Sequence, residues 1–472
     1  MVKIYPVPEG EQVSKDYKIT INGMAVEAYT ARVSAIPFNT VWPGHQRPLD
    51  QTEMASFIYF GMDEPVNLMV EPLRDFSEVV VRPVSKNIEA VTEGRKISLT
   101  IEKAGQYTLE LDGFHHALHI FADPIGDYDV NIQDDNTLYF GPGVHYPGII
   151  EMKDNQTIYI DGGAVVHCSV IAENKKNIRI LGNGILDNST FQREDSSCLR
   201  CPTLATFKNC KNIEIKGIIF KDACSWTVTF FNCDNILIDN VKTIGMWRYN
   251  SDGIDFVNSA NGIVRNSFLR NFDDVIVLKG LKGYDTRNVE NILVEGCTLW
   301  CDWGRALEIG AETCADEYRN IIFSNCDIIH AAHMAMDIQN GDRADVHDVL
   351  FEDIRVEYSK YTLPCVYQES DEMEYPPVTS THMPLLFNAE LYCGRWSNDY
   401  LYGSNSNIRL KNIRVFLDES LPMPQIVLSG VNRDHMTKDI TIEDYYVNGK
   451  KVGSVEEANI VMNEFVENVK VI

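Results

Sequence analysis

KNIEI (211–215), DNILI (234–238), NGIVR (261–265), ENILV (290–294), RNIIF (319–323) and HDVLF (347–351) are one phrase written six times: a polar residue or two, often asparagine, then apolar-x-apolar. The phrase continues outward as QTIYI (156–160) and KNIRI (176–180) on one side and SNIRL (406–410) and KDITI (438–442) on the other. From Ile213 the first apolar residue recurs at 236, 263, 292, 321, 349, 408 and 440, in steps of 23, 27, 29, 29, 28, 59 and 32 residues. Short β-branched segments of period two, with no helical periodicity between them, fit one coil of a parallel β-helix per repeat, and the step of 59 reads as about two coils. Stacked coils lie about 4.8 Å apart and share one core, so equivalent residues form columns. The L-x-x-L-x-L phrase and helical half of a leucine-rich repeat are missing, which excludes that solenoid. Asparagine recurs because it tolerates the left-handed corners where strands turn, and Cys210, Cys233, Cys297 and Cys326 read as an internal stack of small apolar side chains.

Residues 1–125 lack this period. Segments such as KITINGMAVEAYTARV, SFIYFGMDEPVNLMVEPL and RKISLTIEKAGQYTLEL alternate between Gly, Pro and Asp turns, as an antiparallel β-sandwich would. The expected organisation is an N-terminal sandwich over 1–125 and a β-helix over 126–472, whose last stretch, 454–471, reads as a short amphipathic helix capping the final coil.

The chain has 472 residues, 44% hydrophobic and 23% charged, enough to bury a large core. Its net charge of −26 repels phosphate backbones and anionic lipid, so nucleic acid and membrane are not expected partners. No apolar run is long enough for a membrane span or a secretion signal, and the reading is a cytoplasmic protein. Twelve scattered cysteines then read as reduced, buried thiols. Cys198/Cys201 lacks the second ligand pair of a zinc site, and no metal is expected.

A neighbouring strand carries the chemistry. SDGIDFVN (251–258), DDVIVLKG (273–280), GRALEIGA (304–311) and HMAMDIQN (333–340) superpose with Ile254, Ile276, Leu307 and Met336 in one inward column. Asp255, Val277, Glu308 and Asp337 follow one step later and are expected to point outward. Asp252, Asp274, Arg305 and Met334 lie two positions earlier, and Asp273 precedes Asp274. Like charges this close raise one another's pKa, leaving one carboxyl protonated as an acid beside ionised bases. Glycosidic cleavage uses that combination, with the two carboxyls of an inverting hydrolase about 6.5–9.5 Å apart. A solvated acidic face and a calcium site are the alternatives from the pattern alone.

Asn250-Ser251-Asp252-Gly253-Ile254-Asp255, followed 21 and 22 residues later by Asp273-Asp274, resembles the N-T-D-G and D-D motifs of polygalacturonases, glycoside hydrolase family 28. It is also similar to dextranases and isopullulanases of family 49, which place a β-sandwich before a right-handed parallel β-helix. The resemblance implies a right-handed, pectin-lyase-like solenoid. It also implies that Asp273 is the general acid, that Asp252 and Asp274 activate the attacking water, and that no cofactor is used. Two departures bear on substrate. Where the pectin enzymes have G-H-G, this chain reads Gly304-Arg305-Ala306, and where they have R-I-K it reads Asp337-Ile338-Gln339, without the cations that would clamp a uronate.

A neutral glycan or oligosaccharide is therefore the expected substrate, with Asp255, Lys279, Arg305, Glu308, Asp337 and Gln339 offering hydrogen bonds to its hydroxyls. Lys279 is placed in the column of Gln339, free to contact a hydroxyl or to pair with Glu308. Trp247 and Trp303 are candidate sugar platforms, with Trp300, Trp396, Tyr400 and Tyr402 behind them. Trp42, His45 and Arg47, on the long loop 39–51, are candidates to close one end of the cleft, as are loops 188–203, 360–385 and 394–403. A noncatalytic glycan-binding β-helix, and a transferase or lyase on the same scaffold, remain alternatives, and so does self-association into a homo-oligomer.

Overall fold

The computed structural model describes residues 1–35, 48–126, 128–193, 203–362 and 383–472, with the backbone of 38–39 and 366–367. The asparagine phrases become the rungs of a 12-stranded sheet from Thr137–Phe140 to Val466–Val471, parallel throughout. Ile213, Ile236, Ile292, Ile321, Val349, Ile408 and Ile440 stack in one column. The corners form as the residue type predicts. The column Asn155, Asn177, Asn212, Asn235, Asn261, Asn291, Asn320, Asp348, Asn407, Asp439 and Asn468 has φ between +50° and +61° throughout. Within it Asn177, Asn212 and Asn235 each donate to the amide one coil below, at 2.8, 2.7 and 2.8 Å.

Two repeat positions differ from the expected spacing. Gly262, not Ile263, stands between Ile236 and Ile292, so Ile263 pairs with Leu237 and Leu293. The Phe256 ring occupies the space a side chain at 262 would need, with its Cε1 2.5 Å from a Cβ placed there. The step of 59 is one coil and not two. Asp345–Glu352 pairs directly with Ser404–Lys411, and Met334–Asn340 directly with Leu385–Leu391, the surplus residues leaving the solenoid as insertions.

A 21-stranded sheet supplies the other faces. One of its columns, Ile254–Val257, Ile276–Gly280, Arg305–Thr313, Met334–Asn340 and Leu385–Leu391, carries the acidic motifs. Its register is the one read from the sequence: Ile254, Ile276, Leu307 and Met336 align inward, and Asp255, Val277, Glu308 and Asp337 align beside them. The expected C-terminal helix is absent. Ile460–Met462 and Val466–Val471 are further parallel rungs, since their apolar residues alternate with period two and complete the columns of Ile426 and Ile440. Glu467 and Lys470 on the last rung charge its open edge, which discourages further strand addition.

Apart from Phe38–Asn39, which pairs with Val366–Tyr367, the strands between Val2 and Pro124 form a six-stranded and a five-stranded sheet packed about a core that includes Ile19, Phe60, Leu68, Ile97, Leu109 and Ile120. Their pairing is antiparallel except where Leu118–Pro124 lies parallel to Thr52–Met62. The six-stranded sheet also faces the β-helix, and Tyr29, Phe57 and Phe121 share a cluster with Ile219, Ile244, Phe268, Trp300 and Ile329. At about 1.5–3 kcal/mol per large apolar side chain removed from water, this seam holds the two parts firmly together. Buried ion pairs fix its register: Lys242 to Asp123 at 2.5 Å, and Arg82 between Glu110 and Glu357.

Candidate active site

Asp252, Asp273 and Asp274 sit in the turns just before Ile254–Val257 and Ile276–Gly280, so stacking carries all three to the same edge of consecutive coils. There they open on a cleft of roughly 1030 Å³, with Asn250, Lys279, Arg305, Glu312 and Gln339 as polar neighbours and Trp226, Tyr249, Trp303, Tyr392 and Trp396 as aromatic walls. The turn into the third coil is tight. A Cβ on Gly304 would lie 2.6 Å from Asp274 Oδ1 and 2.7 Å from the Asp273 carbonyl carbon, so only glycine lets the Arg305 strand approach this closely.

Two cations hold the cluster. Lys279 Nζ lies 3.3 Å from Asp252, 3.3 Å from Asp274 and 3.4 Å from Glu312. Arg305 reaches Asp274 at 3.5 Å and Asp337 at 3.3 Å, and donates to Gln339 at 3.1 Å. Gln339 in turn donates to Glu390 at 3.0 Å. The carboxyls respond in opposite senses. Burial, then Asp274 and Asp252, push Asp273 well above the usual carboxylate range. Burial also acts upward on Asp274, but Lys279, Arg305 and a hydrogen bond with Glu308 outweigh it and hold Asp274 below its ordinary value. Asp252 is raised by burial against the pull of Lys279. The neighbouring Asp255 adds to that upward push.

Several expected site residues take other places. Asp255, Glu308 and Asp337 do not present themselves to solvent: each has 0% exposure and lies in the layer beneath the cleft floor. Burial raises all three, Asp337 to about 7. Lys279 is not paired with Glu308. A bulge after Leu278 pairs Gly280 with Thr313, and the extra residues bring Glu312 against the ammonium instead. Gly310 opens that bulge at φ +124°, where a Cβ would meet the Gln339 carbonyl oxygen at 2.1 Å. Trp247 does not line the cleft. Its indole donates to Asp222 at 3.0 Å and its ring lies under Arg248 and Arg32, on the side toward the sandwich. Trp300 is buried in the seam, with the Arg270 guanidinium over its ring and the His330 ring tilted against it. Trp303 and Trp396 do line the cleft, whereas Tyr400 is exposed and neither it nor Tyr402 lines it. Trp42, His45, Arg47 and most of loops 188–203 and 360–385 lie outside the described residues.

Sequence reasoning missed Glu312, Trp226, Tyr249, Tyr392 and Arg395. Trp226 sits with its ring 5.2 Å from Lys279 Nζ, and Arg395 lies over the Trp396 ring at 4.7 Å. Tyr392 and Arg395 belong to the 59-residue step; Arg395 lies in loop 394–403, one of the loops expected to close the cleft, and only Tyr392, just ahead of that loop, has no signal but the step itself. A wider groove at the seam, about 1510 Å³, carries Lys86, Lys103 and Lys216 but only Asp239 as a carboxylate, and so lacks an acid–base pair.

Residues 141–383 match the family model described as Glycosyl hydrolases family 28. Polygalacturonase QRT2 of Arabidopsis thaliana is 25% identical over 198 residues, 39% of this chain and 43% of that protein. An exopolygalacturonase of Cochliobolus carbonum is 27% identical over 146 residues, 29% of this chain and 30% of that one. The chain thus spans less than half the length of these curated relatives. Among solved structures, Dex49A from Penicillium minioluteum superposes over 100% of this chain and 96% of its own, with TM-score 0.58 at 13% identity. A hyperthermoactive exopolygalacturonase from Thermotoga maritima covers 71% of this chain and 84% of its own, with TM-score 0.53 at 16% identity. These two likenesses are of fold, and the first includes the sandwich as well as the solenoid. With the family model spanning more than half of its length, the chain belongs to the glycosyl hydrolases family 28.

Proposed function

We propose that this protein is an inverting glycoside hydrolase that cuts an O-glycosidic bond at a neutral sugar of a glycan or oligosaccharide. The observation that carries the reading is the placement of Asp252, Asp273 and Asp274 on one cleft with Lys279 and Arg305 both against Asp274, an arrangement that pushes the Asp273 carboxyl up and holds Asp274 down. Asp273 gives its proton to the glycosidic oxygen as the bond breaks. A water held by Asp274 and Asp252 attacks the anomeric carbon from the opposite side, and Asp274 takes its proton. Lys279, equidistant from Asp252 and Asp274, fixes their separation and keeps Asp274 charged. No cofactor enters the scheme.

The neutral sugar is supported by how the cations are used. Lys279 and Arg305 each meet three carboxyl groups, so neither has charge to spare for a uronate at the centre of the cleft. One observation favours a second reading, an acidic glycan like that named for the polygalacturonase relatives: among the described residues Arg395 has no carboxylate partner and stands on the cleft wall beside Trp396.

The deciding experiment offers the protein neutral α- and β-linked oligosaccharides and oligogalacturonate, following product anomers by proton NMR. Release of the inverted anomer from a neutral sugar, lost by at least about a thousandfold in Asp273→Asn, is the expected result. Cleavage of oligogalacturonate alone transfers the assignment to the acidic glycan, and binding without cleavage across the panel overturns hydrolysis.

A further inference from the structure

Glu308 stands in the buried file Asp255, Val277, Glu308, Asp337, Asn388, one layer below the cleft floor. It has 0% exposure, and among the described residues neither of its carboxyl oxygens accepts a hydrogen bond from a nitrogen or hydroxyl donor. Arg305 Nε stands 3.8 Å from Oε1, beyond hydrogen-bond reach, and lies closer to Asp337, at 3.3 Å, while the other guanidinium nitrogens face Asp274 and Gln339. An ionised carboxylate here would leave a full charge desolvated with its acceptor sites empty, a strongly unfavourable state. A neutral acid in the same place needs one acceptor for its O–H. The acceptor at hand is Asp274, which contacts the same Arg305 guanidinium as Glu308 does, at 3.5 Å against 3.8 Å.

We propose that Glu308 is a neutral carboxylic acid and a positioning residue, donating its O–H to the Asp274 carboxylate from beneath and so fixing the oxygen that faces the attacking water. The donated hydrogen bond disfavours protonation of Asp274, which keeps this carboxylate ionised in mildly acidic solution. The charged groups that act most strongly on Glu308 among the described residues are Asp274 and Lys279 on the coil before, Arg305 on its own strand and Asp337 on the coil after. Naming Asp274 the base rests on the proposed hydrolysis, whereas the proton on Glu308 rests on burial and hydrogen bonding alone. Neither departure from the pectin motifs, at Arg305 or at Asp337, accounts for this residue, which the sequence offers only as one more acid in a column.

The test separates the two claims. In the protein without glycan at pH 7, the infrared difference between wild type and Glu308→Gln is expected to lose a carboxylic-acid C=O band and no carboxylate band. Loss of carboxylate bands instead overturns the proposal, whatever the glycan panel shows. Turnover of isomaltotetraose or tetragalacturonate, whichever the panel finds cleaved, then reads the positioning role. Glu308→Gln keeps a donor to Asp274 and is expected within about threefold of wild-type kcat, with the acid limb of its pH profile unmoved. Glu308→Leu loses the donor, and its kcat is expected to fall about tenfold to a hundredfold, the range for a hydrogen bond to a charged group, with the acid limb moved to higher pH. Equal loss in the two variants, or an unmoved acid limb in the leucine variant, overturns the positioning role. Should Glu308→Leu fail to fold, the infrared and kinetic results for Glu308→Gln still decide the protonation.

Discussion

Two files of stacked polar side chains run along this solenoid, and they behave in opposite ways. On the 12-stranded sheet, Asn155, Asn177, Asn212 and Asn235 line an exposed corner, Asn235 donating to Asn212, Asn212 to Asn177 and Asn177 to Asn155, so that the two in the middle both donate and accept. On the other sheet, Asp255, Glu308 and Asp337 stack in the same manner with no exposure, and most of their oxygens meet no donor. An amide is donor and acceptor at once, so repetition satisfies it, whereas a carboxylate only accepts, so repetition multiplies its cost. The coil geometry imposes repetition on both. Where acids repeat, the chain must add cations and protons, and those additions are Lys279, Arg305 and the raised carboxyls. Unfavourable charge is concentrated in the layer that supports the catalytic candidates, as expected where function and not stability selects the residues.

The largest effect follows from removing the cation that three acids share. Lys279→Met leaves Asp252, Asp274 and Glu312 facing one another in a buried site, and breaking a buried pair costs about 3–5 kcal/mol. The loss is expected in full at pH 8 and in part at pH 5, where protons replace the missing charge. Turnover is expected to fall by about a hundredfold or more at both pH values, because Asp274 loses its main stabilising neighbour. Thermal unfolding and kinetics at the two pH values check this, and an unchanged melting temperature at pH 8 breaks the claim that the acidic file depends on added cations.

A smaller effect comes from titrating the file itself. Asp337 is raised to about 7 by burial, although Arg305 and the Asn388 amide, donating at 2.8 Å, pull it back. Between its unfolded value near 4 and that folded value, the native protein holds a proton the unfolded chain has released. Stability from this group is therefore present below pH 4 and is lost as pH rises through 7, with a slope of at most about 1.4 kcal/mol per pH unit. Asp337→Asn is expected to flatten the decline of stability between pH 5 and 7 by up to one proton, measured as the pH dependence of denaturant midpoints. An unchanged slope removes Asp337 from the titrating set. The asparagine file has no counterpart, since amides do not ionise.

The same contrast explains what the sequence discloses. Period two places Ile254, Ile276, Leu307 and Met336 in one column, and that placement carries Asp252, Asp255, Asp273, Asp274, Glu308 and Asp337 to their coils without knowledge of any contact. Depth is not written in that pattern. Whether an outward residue meets water depends on what lies over it, and here the cations, the bulge and the 59-residue insertion do. Glu312 escapes detection because the alternation fails at Gly310, and Tyr392 and Arg395 because they leave the solenoid altogether. Trp247 and Trp300 were misplaced for the converse reason. An aromatic at a coil's surface faces either a cleft or a docked domain, and nothing local marks the side on which the sandwich sits.

The smallest effect belongs to the file that satisfies itself. Asn235 holds φ +58° and donates to Asn212 at 2.8 Å, so its side chain and its backbone preference contribute separately. Asn235→Ala loses both, the left-handed cost of an alanine at about 1 kcal/mol and an exposed hydrogen bond worth about 1 kcal/mol or less. Asn235→Gly loses only the hydrogen bond, because glycine takes the corner freely. The glycine variant is therefore expected to melt closer to wild type than the alanine variant, with turnover unchanged in both, since no group of the cleft lies on that corner. If the two variants are equally destabilised, the corner is held by the amide ladder and not by the tolerance of asparagine for a left-handed turn, and the column of asparagines owes its repetition to hydrogen bonding alone.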